Sequence, residues 1–222
     1  LVEYAQNAGN WQRGKLKLGV IPTIAPFLFE AMLGAFNAFL PEIQLELQED
    51  TTANLLQQLT DGSLDLLVLA LPMETPGCKQ MVLGHDPFHL VAHKELASQL
   101  PKPLDITSLP KKSIFLLQQE HCMTGHAVSA CNLQHSDQIS SLAASSLYTL
   151  VQLANSKLGY TFLPELALNQ DLLKNTNLVS FPSEDEAYRE IGLVWRSGTT
   201  RMRLFRRVGE ILSPLLPVPT LN

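Results

Sequence analysis

Two kinds of apolar spacing alternate along the chain, and their order predicts an α/β protein. Lys15 to Ile21 alternates polar with apolar and ends in Val20-Ile21, the signature of a strand; Gln44 to Gln48 repeats it. Between them, Phe27, Ala31, Leu33, Phe36 and Phe39 belong to a mostly apolar helix that starts at Pro26 and ends before Pro41. Thr51-Thr52 is expected to cap a second helix carrying Leu55, Leu56 and Leu59 and stopped by Gly62. Leu64 to Leu71 is a continuous apolar run, as in a parallel strand covered on both faces. Strand–helix–strand–helix–strand implies right-handed crossovers.

A second unit is expected from Asp86-Pro87. Phe88 to His93 and Ile114 to Leu117 read as strands joined by a connection through Pro101, Pro103 and Pro110. Ile139 to Ala143 is a weaker strand. Ser145-Ser146 is expected to cap a helix with Leu147, Leu150, Val151 and Leu153 on one face, and Gly159 to Pro164 is a strand feeding a short helix. Leu178 to Phe181 and Arg189 to Trp195 return to strand, followed by a helix from Thr200 to Leu212. The last strand and helix can rejoin the first unit. The expected division is therefore residues 1–13 as the end of a linker, 14–85 with 190–215 as one α/β lobe, and 86–189 as the other. A cleft between two such lobes is a natural ligand site. There are no internal repeats.

Composition narrows the function classes. At 222 residues and 45% hydrophobic, the chain can bury a full core. Its net charge is −5 and its 16 Lys and Arg are scattered, so it carries no electrostatic footprint for nucleic acid. Three cysteines are unlike a secreted disulfide framework. No apolar run reaches the roughly 18 residues of a membrane span, and no signal peptide leads the chain. With Leu1 in place of Met, the reading is a cytoplasmic fragment of a longer protein that does not contact a membrane. No G-x-S-x-G, Walker A or G-x-G-x-x-G pattern occurs, so nothing points to a hydrolase, an NTPase or a dinucleotide enzyme.

The candidate chemistry lies between Gln119 and Cys131, just after the strand at Ile114–Leu117. His121 directly precedes Cys122, and Cys131 follows nine residues later. If this stretch is helical, nine rises hold the two Cα atoms about 13 Å apart, whereas a disulfide needs them within about 7 Å. A bridge would require the helix to unwind. Two other readings compete. Both cysteines can be small buried core residues, or Cys122, His126, Cys131 and His135 can be zinc ligands, although one helix cannot wrap four ligands around an ion. His85, His89 and His93 fall on a strand, where they spread over about 13 Å, too far for one ion. Cys78 reads as an inert or merely exposed thiol.

Leu18 to Thr23, Gly62 to Leu66 and Ser146 to Pro164 resemble the recurring elements of the regulatory half of LysR-type transcriptional regulators, over nearly the whole chain. Within that family, His121-Cys122 with Cys131 is similar to the OxyR-type peroxide sensors. The resemblance implies two Rossmann-like lobes in a periplasmic-binding-protein-like (type 2) regulatory domain. It implies a peroxidatic Cys122, a resolving Cys131, and a thiol sensor of hydrogen peroxide rather than an enzyme, with no cofactor. It also implies a homodimer or homotetramer in which only the full-length protein, through a winged helix-turn-helix, reaches promoter DNA and RNA polymerase to control antioxidant genes, with glutaredoxin or thioredoxin as reductant. Three places depart from the pattern: Thr124 stands where OxyR members have a basic residue, Gly125 where they have an acidic one, and Asn155-Ser156-Lys157-Leu158 where a glycine-rich turn usually precedes the Gly159 strand.

Peroxide chemistry needs a thiolate at Cys122, which a helix starting near Met123 and the neighbouring His121 would favour. Thr23 and Thr52, at strand-to-helix turns, and Thr124 are the further candidates for a peroxide pocket; simple helix capping competes for the first two. The alternative functions are a LysR-type domain reading a small organic effector, a solute-binding protein, or a thiol peroxidase.

Overall fold

In the computed structural model the described residues are 11–101, 105–118, 122–131, 133, 137–182 and 187–217, with the backbone alone at Thr107 and Cys122. In chain order the elements are β1 (Gly14–Val20), α1 (Ala25–Phe39), β2 (Ile43–Glu49), α2 (Thr52–Asp61), β3 (Leu66–Leu71), β4 (Cys78–His93) and α3 (Lys94–Ala97). A 3₁₀ turn at Ile106–Ser108 leads into β5 (Ile114–Leu117), α4 (Cys122–Ala130), β6 (Ile139–Ala144), α5 (Leu147–Asn155), β7 (Tyr160–Pro164), α6 (Glu165–Leu168), β8 (Leu178–Pro182), β9 (Tyr188–Arg196) and α7 (Met202–Leu212). The chain packs as two compact units that divide between His85 and Asp86 and again between Arg189 and Glu190, so β4 and β9 each run from one unit into the other. No helix among the described residues is long and apolar enough to cross a membrane.

The first unit is built on β3, whose six residues Leu-Leu-Val-Leu-Ala-Leu are all buried. Its sheet runs β2-β1-β3-β9. β1 pairs in parallel with both neighbours, Val20 opposite Glu49 on one side and Val68 on the other, and β9 closes it antiparallel with Val194 opposite Leu67. Pro26 falls in the first turn of α1, and Gly62 ends α2 at a φ of 88°, in the left-handed region glycine tolerates best. α2 lies so close to β1 that a Cβ at Gly19 would come 2.7 Å from Leu55 Cδ2. A larger residue there would require the ends of Leu55, Leu64 and Leu67 to shift.

The second unit repeats this layout. β5 pairs in parallel with β6 and β7, and β4 runs antiparallel to β7, with Phe88 opposite Pro164 and Ala92 opposite Tyr160. β8 pairs with the other edge of β4. Ser146 caps α5 as expected, its Oγ accepting from Thr149 N–H at 3.2 Å.

Three expectations need correction. Thr51 is the N-cap of α2 but makes no side-chain cap bond; instead Asp50 Oδ1 accepts from Thr51 N–H at 2.7 Å and from Asn54 Nδ2 at 2.8 Å. The carboxylate thus ties the N-cap residue to the Asn54 side chain of the first turn. β4 begins at Cys78 rather than Phe88, because Gly84 and Pro87 sit within the strand instead of ending it. The proline-rich connection also contains α3, capped by His93, whose Nδ1 accepts from Glu95 N–H at 3.2 Å.

Candidate functional site

α4 follows β5 after four residues and begins at Cys122, one residue earlier than expected. Its first turn is tied to the strand by Thr124, whose Oγ1 donates to the Leu117 carbonyl at 2.8 Å. That hydroxyl keeps its acceptor lone pairs for a ligand. Met123 and Ala127 are fully buried one turn apart. Val128 and Ala130 stay half-exposed, so the packed stripe is only two residues wide. Cys131 is buried at 5% exposure, and its N–H donates to Ala127 O at 2.9 Å, an α-helical bond. Helical geometry therefore extends from 122 to 131, which puts the two Cα atoms about 13 Å apart. In this form they are too far apart to bridge.

Beneath α4 lies a buried ion pair that the sequence reading did not single out. Asp86 and Arg189, both with fully buried side chains, meet through Nε and Nη2 donating to Oδ2 at 3.0 and 2.8 Å, while Asp86 Oδ1 accepts from Leu166 N–H at 2.9 Å. They are 103 positions apart in the chain, so only the antiparallel return of the strands joins them. The one available signal was their position at the two ends of the unit, where the chain enters and leaves it. Burial, and secondarily the charge of Arg189, push the pKa of His126 on α4 below the usual imidazole value. Position 122 lies one turn before His126 on the same helix.

Thr23 and Thr52 occupy equivalent places in the first unit. They follow the carboxyl ends of the adjacent parallel strands β1 and β2, where open α/β sheets bind ligands. Thr23 is buried at 3% exposure, and Thr52 is half-buried as the first residue of α2. The structure thus gathers Thr124, Cys131 and position 122 on one helix of the second unit, and Thr23 with Thr52 at one end of the first unit's sheet. His121, His135 and the side chain of Cys122 lie outside the described residues.

No group of three metal-capable side chains occurs among the described residues. The three strand histidines take separate partners: His85 approaches Glu190 at 3.8 Å, His89 approaches Glu165 at 3.4 Å, and His93 caps α3. Cys78, half-buried at the start of β4, belongs to the first unit.

Comparison with known proteins gives consistent results. The reduced form of the regulatory domain of OxyR2 from Vibrio vulnificus superposes with a TM-score of 0.89 at 47% identity, covering 92% of this chain and 97% of that one. The HTH-type transcriptional regulator EstR of Acinetobacter baylyi is 38% identical over 201 residues, 90% of this chain and 66% of that protein. A probable hydrogen peroxide-inducible genes activator of Streptomyces viridosporus is 33% identical over 201 residues, 90% of this chain and 64% of that protein. The chain thus spans somewhat less than two thirds of the length of these curated relatives. The LysR substrate binding domain family matches residues 10–216. The mixed α/β sheets, the placement of α4 and this match together show that the chain belongs to the LysR substrate-binding domain family.

Proposed function

We propose that this chain is the regulatory domain of a peroxide-responsive transcription regulator, switched by oxidation of Cys122 and its bonding to Cys131. One observation supports this reading above the rest: positions 122 and 131 are held apart by a short helix that buries only Met123 and Ala127 along its length. The free N–H groups of the helix's first turn favour a thiolate at Cys122. The thiolate attacks one peroxide oxygen, the O–O bond breaks, and hydroxide leaves, so sulfur is oxidised to sulfenic acid as peroxide is reduced. Unwinding of α4 then brings the Cys131 thiol to that sulfur, the S–S bond forms and water departs. His121, Thr124, Thr23 and Thr52 are the proposed peroxide contacts. The reaction is stoichiometric and resets by a glutaredoxin- or thioredoxin-type dithiol.

In the longer protein, residues 1–13 would end a linker from a winged helix-turn-helix, and a homodimer or homotetramer would bring promoter DNA to RNA polymerase in the cytoplasm. The 222-residue chain itself, with its −5 charge, would dimerise without binding DNA. A strictly monomeric mass at tens of micromolar contradicts that part.

The test is peptide mass mapping after sub-stoichiometric hydrogen peroxide. Cys122 is consumed first and a 122–131 disulfide accumulates; Cys122→Ser abolishes the response, and Cys131→Ser leaves sulfenic acid or a mixed disulfide at Cys122. Equal damage from Cys78→Ser overturns the assignment. If the protein ignores peroxide and a small organic effector raises its melting temperature, a LysR-type domain reading that effector replaces this proposal.

A further inference from the structure

At the opposite end of the first unit's sheet from Thr23 and Thr52 lies a cavity of about 580 Å³. It is walled by Asp65 just before β3, Cys78 at the start of β4, and the turn from β9 into α7 with Arg196, Ser197, Thr200 and Arg201. Its size falls within the range of small-molecule sites. The antiparallel register that sets Leu67 opposite Val194 brings Asp65 and Arg196 to this one edge.

Both guanidinium groups are held in place by a single nitrogen. Arg196 Nη1 donates to the Leu59 and Leu64 carbonyls, closing the end of α2, and Arg201 Nη1 donates to Asp65 Oδ2 at 3.1 Å. Asp65 is fixed in turn by Lys17 N–H at 3.0 Å. Among the described residues, Nε and Nη2 of both arginines have no hydrogen-bond partner. The lining thus carries two cations against one carboxylate, and its unoccupied donors are already oriented. Asp65 on Arg201 and Asp61 beside Arg196 already balance part of this charge, and the remaining fork of each guanidinium suits the two oxygens of a carboxylate or a phosphate. A Cβ at Gly198 would meet nothing within 4 Å, so there is room for a ligand to approach the backbone of the turn.

We propose that this cavity binds a small oxyanion, a carboxylate or a phosphate, between Arg196 and Arg201. The site is separate from the peroxide chemistry and stands or falls independently of it. Cys78 in the wall makes it testable on the intact 222-residue chain by the rate of Cys78 alkylation with uncharged iodoacetamide, read by peptide mass mapping. Inorganic phosphate and malonate are the probes, against sodium chloride at matched ionic strength. Bound anion is expected to slow alkylation threefold or more. Protection by phosphate alone assigns phosphoryl ligands, and protection by malonate alone assigns carboxylates. Arg201→Gln should raise the half-protecting concentration about tenfold, and Gly198→Leu, which fills the cavity at an open surface position, should abolish protection while leaving the melting temperature in place. Protection by neither probe, protection matched by chloride, or full protection in Arg201→Gln overturns the proposal.

Discussion

The two units share a strand order and differ in what they bury. In each, the first strand is followed five residues after its end by the first helix: Val20 to Ala25 in one, Leu117 to Cys122 in the other. The second helix starts three residues after its strand in both, at Thr52 after Glu49 and at Leu147 after Ala144. α1 runs 15 residues and buries Phe27, Leu28, Met32 and Phe36; α4 runs nine and buries Met123 and Ala127. At ~1.5–3 kcal/mol for each large apolar side chain, α1 is held by roughly 6–12 kcal/mol of transfer free energy and α4 by about a quarter of that. Polar burial differs in the opposite sense. Among the described residues the first unit buries one polar side chain, Thr23, while the second buries Asp86, His93, Ser113, Thr161 and Arg189. The same topological station thus serves as scaffold in one unit and as a loosely held element over a buried charge pair in the other, which suits a region that must refold.

The comparison can be broken most directly at its charged end. Asp86→Asn keeps an acceptor for Leu166 N–H but leaves Arg189 buried without its counter-charge, so urea unfolding should show a loss of about 3–5 kcal/mol. A loss under 1 kcal/mol would mean the pair is not structural. Next comes the helix contrast. Phe36→Ala should cost about 3–5 kcal/mol of global stability, and Met123→Ala about 2–5. The second loss should appear as faster amide exchange confined to residues 122–131 and as a disulfide that forms more readily. Exchange spreading evenly over the chain would erase the distinction between the two helices.

A stabilising change sharpens the same contrast. Gly125 is exposed, and a Cβ there meets nothing within 4 Å. Gly125→Ala should therefore firm α4 by about 1 kcal/mol, which moves the ratio of bridged to reduced protein about fivefold toward reduced in a thiol–disulfide buffer. The smallest effect is that of pH. Because the folded-state pKa of His126 is depressed, the unfolded helix binds a proton more readily. The stability of α4 is complete above the unfolded value near 6.5 and declines as pH falls below it toward the folded pKa. Amide exchange of α4 should speed up between pH 6.5 and 5 beyond its intrinsic pH dependence, and His126→Gln should remove the excess.

Much of this architecture was legible in the residues because it rests on local physics. The run Leu66–Leu71, apolar at every position, is a strand buried at every position, and the periodic leucines of α2 stop at a glycine that can adopt positive φ. Ser146, read as a cap, bonds the N–H three residues on. The cysteine stretch, read as a helix that keeps Cys122 and Cys131 apart, is one. Where neighbours compete, local reading failed. Thr51 stands at the N-cap without a side-chain cap bond, while Asp50 binds its N–H and the Asn54 side-chain amide, and β4 carries Gly84 and Pro87 within a strand whose pairing overrides them.

Spacing and side-chain chemistry along the chain were thus enough to specify most of the elements, their order and the helix that holds the cysteines, though not α3 or the early start of β4. Only the tertiary structure decided which charges meet. Asp86 finds Arg189 across 103 residues, and Arg196 and Arg201 come to share a cavity with Asp65, which precedes them by 131 and 136 residues. Backbone hydrogen bonds and apolar periodicity act within a few residues, but a buried ion pair or a lined cavity exists only once antiparallel strands have brought distant segments into register.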